Sequence, residues 1–139
     1  MIIGYTTGVF DLFHIGHLNI LKRAKSQCDY LIVGVSTDQL VESYKHKKPV
    51  IPFEDRKAIV EAIKYVDEVV AQTSMNKLEA WERLKFNKIF HGNDWKNSPI
   101  YIETEKRLKE VGVESVYFEY TKDISSTIIK TRLDKNEEK

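Results

Sequence analysis

Apolar positions along the chain follow two rhythms. Short apolar or β-branched runs recur at Met1-Ile2-Ile3-Gly4-Tyr5-Thr6, Tyr30-Leu31-Ile32-Val33-Gly34-Val35-Ser36, Asp67-Glu68-Val69-Val70, Lys88-Ile89-Phe90-His91 and Val113-Glu114-Ser115-Val116-Tyr117-Phe118. Between them, apolar residues fall at helical spacing. These stretches are Leu18 to Lys25, Phe53 to Tyr65 with Ala58, Ile59, Ala62 and Ile63 on one face, Lys77 to Phe86, and Ile100 to Val111 with Gly112 as its C-cap. The run from Tyr30 to Ser36 is apolar without alternation, as in a strand covered on both faces of a parallel sheet. Strands alternating with helices predict an α/β protein built on a Rossmann-like, doubly wound, five-stranded parallel sheet. The basic stretch Tyr44–Pro52, broken at Pro49 and Pro52, predicts an irregular loop. A last helix is expected from Ile128 to Leu133, capped by Ile124-Ser125-Ser126-Thr127, so that residues 1–133 form one domain and 134–139 a frayed charged tail.

Composition narrows the function. A chain of 139 residues is one domain, and 22 basic against 21 acidic residues leave a net charge of +1. That balance argues against a nucleic-acid surface and against a polybasic membrane patch, so anionic partners must be small and locally met. Cys28 is the only cysteine, which excludes an internal disulfide and a Cys-rich zinc site and fits a reducing compartment. The amino terminus lacks a basic leader and no apolar run reaches membrane-spanning length, so a cytoplasmic protein is expected.

The richest chemistry lies between the first strand and first helix, where residues 7–17 read T-G-V-F-D-L-F-H-I-G-H. His14 and His17 fall at a helix start, where free backbone N–H groups and the positive end of the helix dipole favour anions. An isolated His-x-x-His can be half a metal site or two surface histidines. Gly8, the Phe10-Asp11 turn and Gly16 between the imidazoles favour a nucleotide phosphate instead. In a doubly wound sheet the loops after the strands converge on one crevice. That crevice should gather the histidine loop, Lys45-His46-Lys47-Lys48, Gly92-Asn93-Asp94-Trp95 and Ile124-Ser125-Ser126-Thr127. The lysines suit a mobile phosphate contact, the indole a stacking surface, and the hydroxyl run either a helix cap or phosphate oxygens. Trp81, His46 and His91 read as packing or structural residues. Asp67, after Tyr65-Val66, is a weaker candidate.

Gly8-Val9-Phe10-Asp11-Leu12-Phe13-His14-Ile15-Gly16-His17, Tyr65-Val66-Asp67-Glu68-Val69, Gly92-Asn93-Asp94-Trp95 and Ile124-Ser125-Ser126-Thr127 occur in that order. With these motifs the chain resembles the cytidylyltransferases of the HIGH-motif nucleotidyltransferase superfamily, and among them most the branch that activates glycerol 3-phosphate. The resemblance runs from the first strand to about Leu133. It implies the HIGH-superfamily nucleotidyltransferase fold, a homodimer, Mg²⁺ carried mainly by the CTP phosphates, and no metal site of the protein's own. The implied reaction transfers CMP from CTP to a small phosphorylated acceptor, sn-glycerol 3-phosphate first, with release of pyrophosphate.

Carried over by position, Val9 and Phe10 would contact CTP through their backbone, with Gly16 and Gly92 beside the nucleotide. His14, His17 and Lys47 would be the catalytic and phosphate-binding groups. Lys45 would meet the acceptor phosphate together with Lys77 and Asp11. Asp94 and Trp95 would line the nucleotide pocket, Asp67 would help organise the base pocket, and Ser125, Ser126 and Thr127 would hold the β- and γ-phosphates. Three positions depart from the family pattern: Val9 stands for a threonine, Lys64 for an arginine and Tyr120 for an arginine, with Lys122 nearby as a substitute charge. They leave open another phosphorylated acceptor, an adenylyltransferase of the same superfamily, or a nucleotide-binding regulatory subunit.

Overall fold

The computed structural model describes residues 1–92, 98–119 and 126–137. The elements, in order, are β1 (Ile3–Gly8), α1 (Ile15–Lys25), β2 (Tyr30–Ser36), α2 (Asp38–Lys45), α3 (Phe53–Glu61) and β3 (Glu68–Gln72). They continue with α4 (Lys77–Leu84), β4 (Lys88–Gly92), α5 (Pro99–Glu110), β5 (Glu114–Phe118) and α6 (Ser126–Glu137). All strand pairs are parallel, in the order β3-β2-β1-β4-β5. The chain builds outward from β1 through β2 to β3, then returns to the other side of β1 with β4. The direction therefore reverses between β1 and β4, and their carboxyl ends open a crevice there.

The core lies on both faces of the sheet, as the unbroken apolar run of β2 requires. Leu31, Val33 and Val35 face one cluster, with Leu21 and Ala24 of α1, Val60 of α3, Phe90 and Phe118. Ile32 faces the other, with Tyr5, Phe86, Ile89, Ala80 of α4 and Leu108 of α5. One register shift along β2 would exchange these sets, so the strand has a single acceptable pairing. Cys28 packs against the first cluster as a half-buried thiol, its S–H donating to the Ala24 carbonyl at 3.3 Å.

Several local expectations change. The stretch before Lys47 is helical: α2 is capped by the Thr37 hydroxyl accepting from Leu40 N–H, and it ends at His46 in the left-handed region with φ of 59°. Tyr44 and Lys45 are therefore the last turn of a helix, and the irregular loop is only residues 46–52. In α3 the buried face is Arg56 and Val60, flanked by Phe53 and Ile63, while Ala58, Ile59 and Ala62 are exposed. Of the apolar stripe expected from the sequence only Ile63 packs on the core, and Ala58, Ile59 and Ala62 face outward, because the true inner face includes a charged residue. The last helix starts at Ser126 and continues to Glu137, through residues expected to fray. Among the described residues no helix is long and apolar enough to cross a membrane.

Candidate active site

A cavity of about 990 Å³ opens at the carboxyl ends of the strands. Its walls come from the β1–α1 loop, the end of α2 and the loop after it, the ends of β2, β3 and β4, and the first turns of α6. Val9, Phe10, Asp11, His17, Lys45, Lys47, Gly92, Ser126 and Thr127 all line it, so segments more than a hundred residues apart meet as expected. Asp94, Trp95, Ser125, Tyr120 and Lys122 lie outside the described residues.

The backbone fixes both histidines. His14 is the N-cap of α1, and its Nδ1 accepts from Gly16 N–H at 3.0 Å. His17 reaches back so that its Nδ1 accepts from His14 N–H at 3.1 Å, a reciprocal capping box made of imidazoles. An Nδ1 that accepts cannot carry the proton, so each neutral ring presents its N–H at Nε2. The rings stack with centroids 3.9 Å apart, and Phe10 and Phe13 close over His17 at 5.4 and 5.2 Å. Burial, then the neighbouring His14, push the His17 pKa down to about 4, and burial lowers that of His14. Two neutral Nε2–H donors thus stand side by side at the helix start. Gly16, buried in the first turn, contributes through its N–H rather than by lining the cavity.

The loop that holds them is strained and over-determined. Phe10 and Leu12 have φ of 54° and 50°, in the left-handed region, at a cost of about 1 kcal/mol or more each. Gly8 permits this fold, since a Cβ there would stand 2.9 Å from the Phe10 ring. Asp11 supplies much of the compensation. Its carboxylate, 6 % exposed, accepts from Val50 N–H at 2.8 Å and Ile51 N–H at 2.9 Å, with Lys130 Nζ at 3.8 Å, while Ser126 Oγ donates to its carbonyl at 2.6 Å. Asp11 therefore ties the histidine loop to the lysine loop and to α6.

Arg56 is the residue that reading the sequence missed. It is fully buried, and its guanidinium donates to Ile51 O at 2.8 Å, Val9 O at 2.7 Å, Ser36 O at 2.8 Å and the Asp38 carboxylate at 2.6 Å. One planar fork thus joins the first loop, the end of β2, the start of α2 and the lysine loop. The available signal was its spacing: Phe53, Arg56, Val60 and Ile63 fall on one helical face. Lys130 also lines the cavity and was not singled out.

Lys77 sits behind the wall rather than in it. It is 3 % exposed, and its Nζ donates at 2.8 Å to the hydroxyl of Thr7, which does line the cavity. A lysine in the first turn of α4 opposes the helix dipole, and burial pushes its pKa down to about 8. Its charge, after burial itself, also helps push the His91 pKa down to about 3; His91 is hydrogen-bonded to the Tyr101 hydroxyl.

Asp67 does not join this group. It lies at the amino end of β3, on the opposite edge of the sheet, where its carboxylate takes Lys25 Nζ at 2.6 Å and Leu31 N–H at 2.8 Å. Those two partners lower its pKa against the opposing effect of burial, which is the largest single influence. Its contacts lie at the strand starts, away from the cavity lining. Trp81 packs on the second core cluster with Lys85 Nζ 3.9 Å over its ring.

A doubly wound sheet whose crevice carries a helix-capping histidine pair, lysines and hydroxyls defines a nucleotide-binding α/β protein of the nucleotidyltransferase kind. The chain belongs to the cytidylyltransferase-like family, whose model matches residues 5–132. It is 37 % identical over 135 residues to the glycerol-3-phosphate cytidylyltransferase of Bacillus subtilis (strain 168), covering 92 % of this chain and 94 % of that one. It is 40 % identical over 126 residues to the enzyme of the same name from Bacillus spizizenii, covering 90 % and 92 %. Among solved structures, the lipopolysaccharide core biosynthesis protein of Thermoplasma volcanium GSS1 superimposes with a TM-score of 0.73 at 27 % identity, over 89 % of this chain and 99 % of that one.

Proposed function

We propose that this protein transfers CMP from CTP to sn-glycerol 3-phosphate, forming CDP-glycerol and pyrophosphate. The observation that carries the reading is the locked histidine pair at a helix start, with His17 in the wall of a cavity also lined by Lys45, Lys47, Lys48 and Lys130 and His14 stacked on His17 just outside that lining. The Bacillus relatives, named for that activity and similar along nine-tenths or more of both chains, support the same donor and acceptor.

In this reaction an oxygen of the acceptor phosphate attacks the α-phosphorus of CTP. The new P–O bond forms as the bond to the β-phosphate bridge breaks, and the electron pair leaves with pyrophosphate. A phosphate monoester dianion is nucleophilic near neutral pH, so the protein's task is positioning and charge stabilisation. His14 and His17 donate to the charge developing on the α-phosphoryl oxygens, each contributing about 3 kcal/mol by analogy with oxyanion holes. Neutral rings suit this, since they donate without a protonation step at physiological pH. Lys47 neutralises CTP phosphates, and Lys45 meets the acceptor phosphate with Lys77 behind it. Ser125, Ser126 and Thr127 hold the β- and γ-phosphates, the last two from the first turn of α6. Val9, Phe10, Gly92, Asp94 and Trp95 contact the nucleotide. Asp11 acts on the acceptor indirectly, by holding the lysine loop.

The residues fit a magnesium ion that arrives on the triphosphate. The Asp11 carboxylate is already engaged by Val50 N–H and Ile51 N–H. Bound on the phosphates, the ion supplies charge neutralisation. A homodimer, as the sequence resemblance implies, acting in the cytoplasm completes the proposal.

The test is pyrophosphate release from CTP and Mg²⁺ with glycerol 3-phosphate, run beside ATP and a panel of other phosphorylated acceptors. The expected outcome is release that requires CTP and is fastest with glycerol 3-phosphate. CTP binding without release on any acceptor would make the protein a regulatory nucleotide binder, and faster turnover with ATP would make it an adenylyltransferase.

A further inference from the structure

Two buried polar side chains close the cavity floor at the carboxyl ends of β2 and β3. Ser36 ends β2 and Gln72 ends β3, they pair in the parallel register, and they are 2 % and 5 % exposed. Both line the cavity, with Tyr44 and Met75 as neighbours in its wall. Ser36 Oγ donates to Gln72 Oε1 at 2.7 Å, which orients the amide and leaves its NH₂ group for other work. Among the described residues that nitrogen is bonded only to the Met75 thioether, at 3.8 Å. A thioether is a weak acceptor, and an amide carries two N–H donors, so strong donor capacity is held at a buried position facing an open cavity.

We infer that Gln72, oriented by Ser36, donates to a hydroxyl of the acceptor and so sets a preference for a polyol phosphate over an alkyl phosphate. This rests on the reading of the cavity as the site of cytidylyl transfer. On that reading the nucleotide occupies the β1–β4 crevice, between the histidine helix and α6. The β2–β3 end is left to the acceptor, whose phosphate meets Lys45, with Lys77 behind the wall through the Thr7 hydroxyl, while its tail lies over the floor. The floor is neutral: an amide, a serine hydroxyl, a phenol and a thioether. It suits a small uncharged oxygen, and among the described residues this floor itself supplies no carboxylate to an ammonium head group. A buried donor built to meet a hydroxyl also penalises an analogue that lacks one, because the donor is then left unpaired.

The experiment compares kcat/KM for glycerol 3-phosphate with that for n-propyl phosphate, which keeps the phosphate and chain length and lacks both hydroxyls. The variant Ser36→Ala/Gln72→Met removes both partners together, so neither is orphaned in the core. Gln72→Glu is the second variant, retaining the acceptor for Ser36 and losing the N–H donors. The wild type should prefer glycerol 3-phosphate, and both variants should lower that preference about tenfold through the acceptor KM, with the KM for CTP within about twofold. A structural defect would move both acceptors alike and leave the ratio unchanged. A wild type active on glycerol 3-phosphate whose preference survives both variants overturns the inference alone. A wild type inactive on glycerol 3-phosphate overturns the reading of the cavity and the inference with it.

Discussion

Replacing Arg56 by lysine keeps the positive charge and removes the fork. The guanidinium makes four bonds at 2.6 to 2.8 Å, three to carbonyls of Val9, Ser36 and Ile51 and one to Asp38. An ammonium on a shorter, flexible stem can satisfy one or two of these acceptors. Each lost bond from a charged donor is worth about 1.5 kcal/mol, and the loss at Asp38, whose side chain is 33 % exposed, is softened by water. The net destabilisation is therefore about 3 kcal/mol, a large share of the usual stability of a domain. For a chain of this size that lowers Tm by roughly 10 °C. Because the lost bonds tie the histidine loop to the loop carrying Lys47, kcat/KM for CTP should also fall, measured at a temperature where the variant is fully folded. Thermal unfolding followed by circular dichroism gives the first quantity and pyrophosphate release the second. A variant that melts within about 2 °C of the wild type would refute the claim that this network holds the site together.

His14→Ala and His17→Ala should each lower kcat by about a hundredfold or more, while costing only about 1 kcal/mol of stability from the lost cap, as read by unfolding in urea. Matched losses of activity and stability would sink the donor assignment. The His17 pKa is pushed from 6.5 down to about 4 and that of His91 down to about 3, so below pH 6.5 the unfolded chain takes up protons that the native state refuses. Stability should accordingly be full above pH 6.5 and decline as pH falls toward 4, with the His17 ring resonances unmoved between pH 8 and 6; titration of that ring near 6.5 would contradict its burial. Asp67→Asn should leave the KM for CTP within about twofold, since its partners Lys25 and Leu31 N–H are at the strand starts and an exposed pair contributes under about 1 kcal/mol. A tenfold rise would return Asp67 to the nucleotide.

Much of this protein is legible from side-chain rhythm and a few motifs. The unbroken apolar run of β2 already implies a strand covered on both faces, and its observed bounds, Tyr30–Ser36, are those expected. The histidines announce the opening of α1, where they form its capping box, because their spacing and position are local properties. Where local signals conflict, sequence reading fails. The outer face of α3 carries Ala58, Ile59 and Ala62, so it looks like the inner one, whereas the true inner face contains Arg56. Asp67 follows a family-like motif, and that motif outweighs a position at a strand start that the run Asp67-Glu68-Val69-Val70 already implies.

The chain alone therefore determined the class of fold, the strand that anchors it, and the histidine pair that opens α1, since these follow from periodicity and from residue types within one turn of helix. Tertiary structure decided which nitrogen of each imidazole is free, that Asp11 and Arg56 hold loops together, and that Ser36 and Gln72 share a floor. Those are contacts between segments distant in sequence, and a hydrogen bond between such segments has no local signature. Its partners become readable only when packing brings the strands and loops into register.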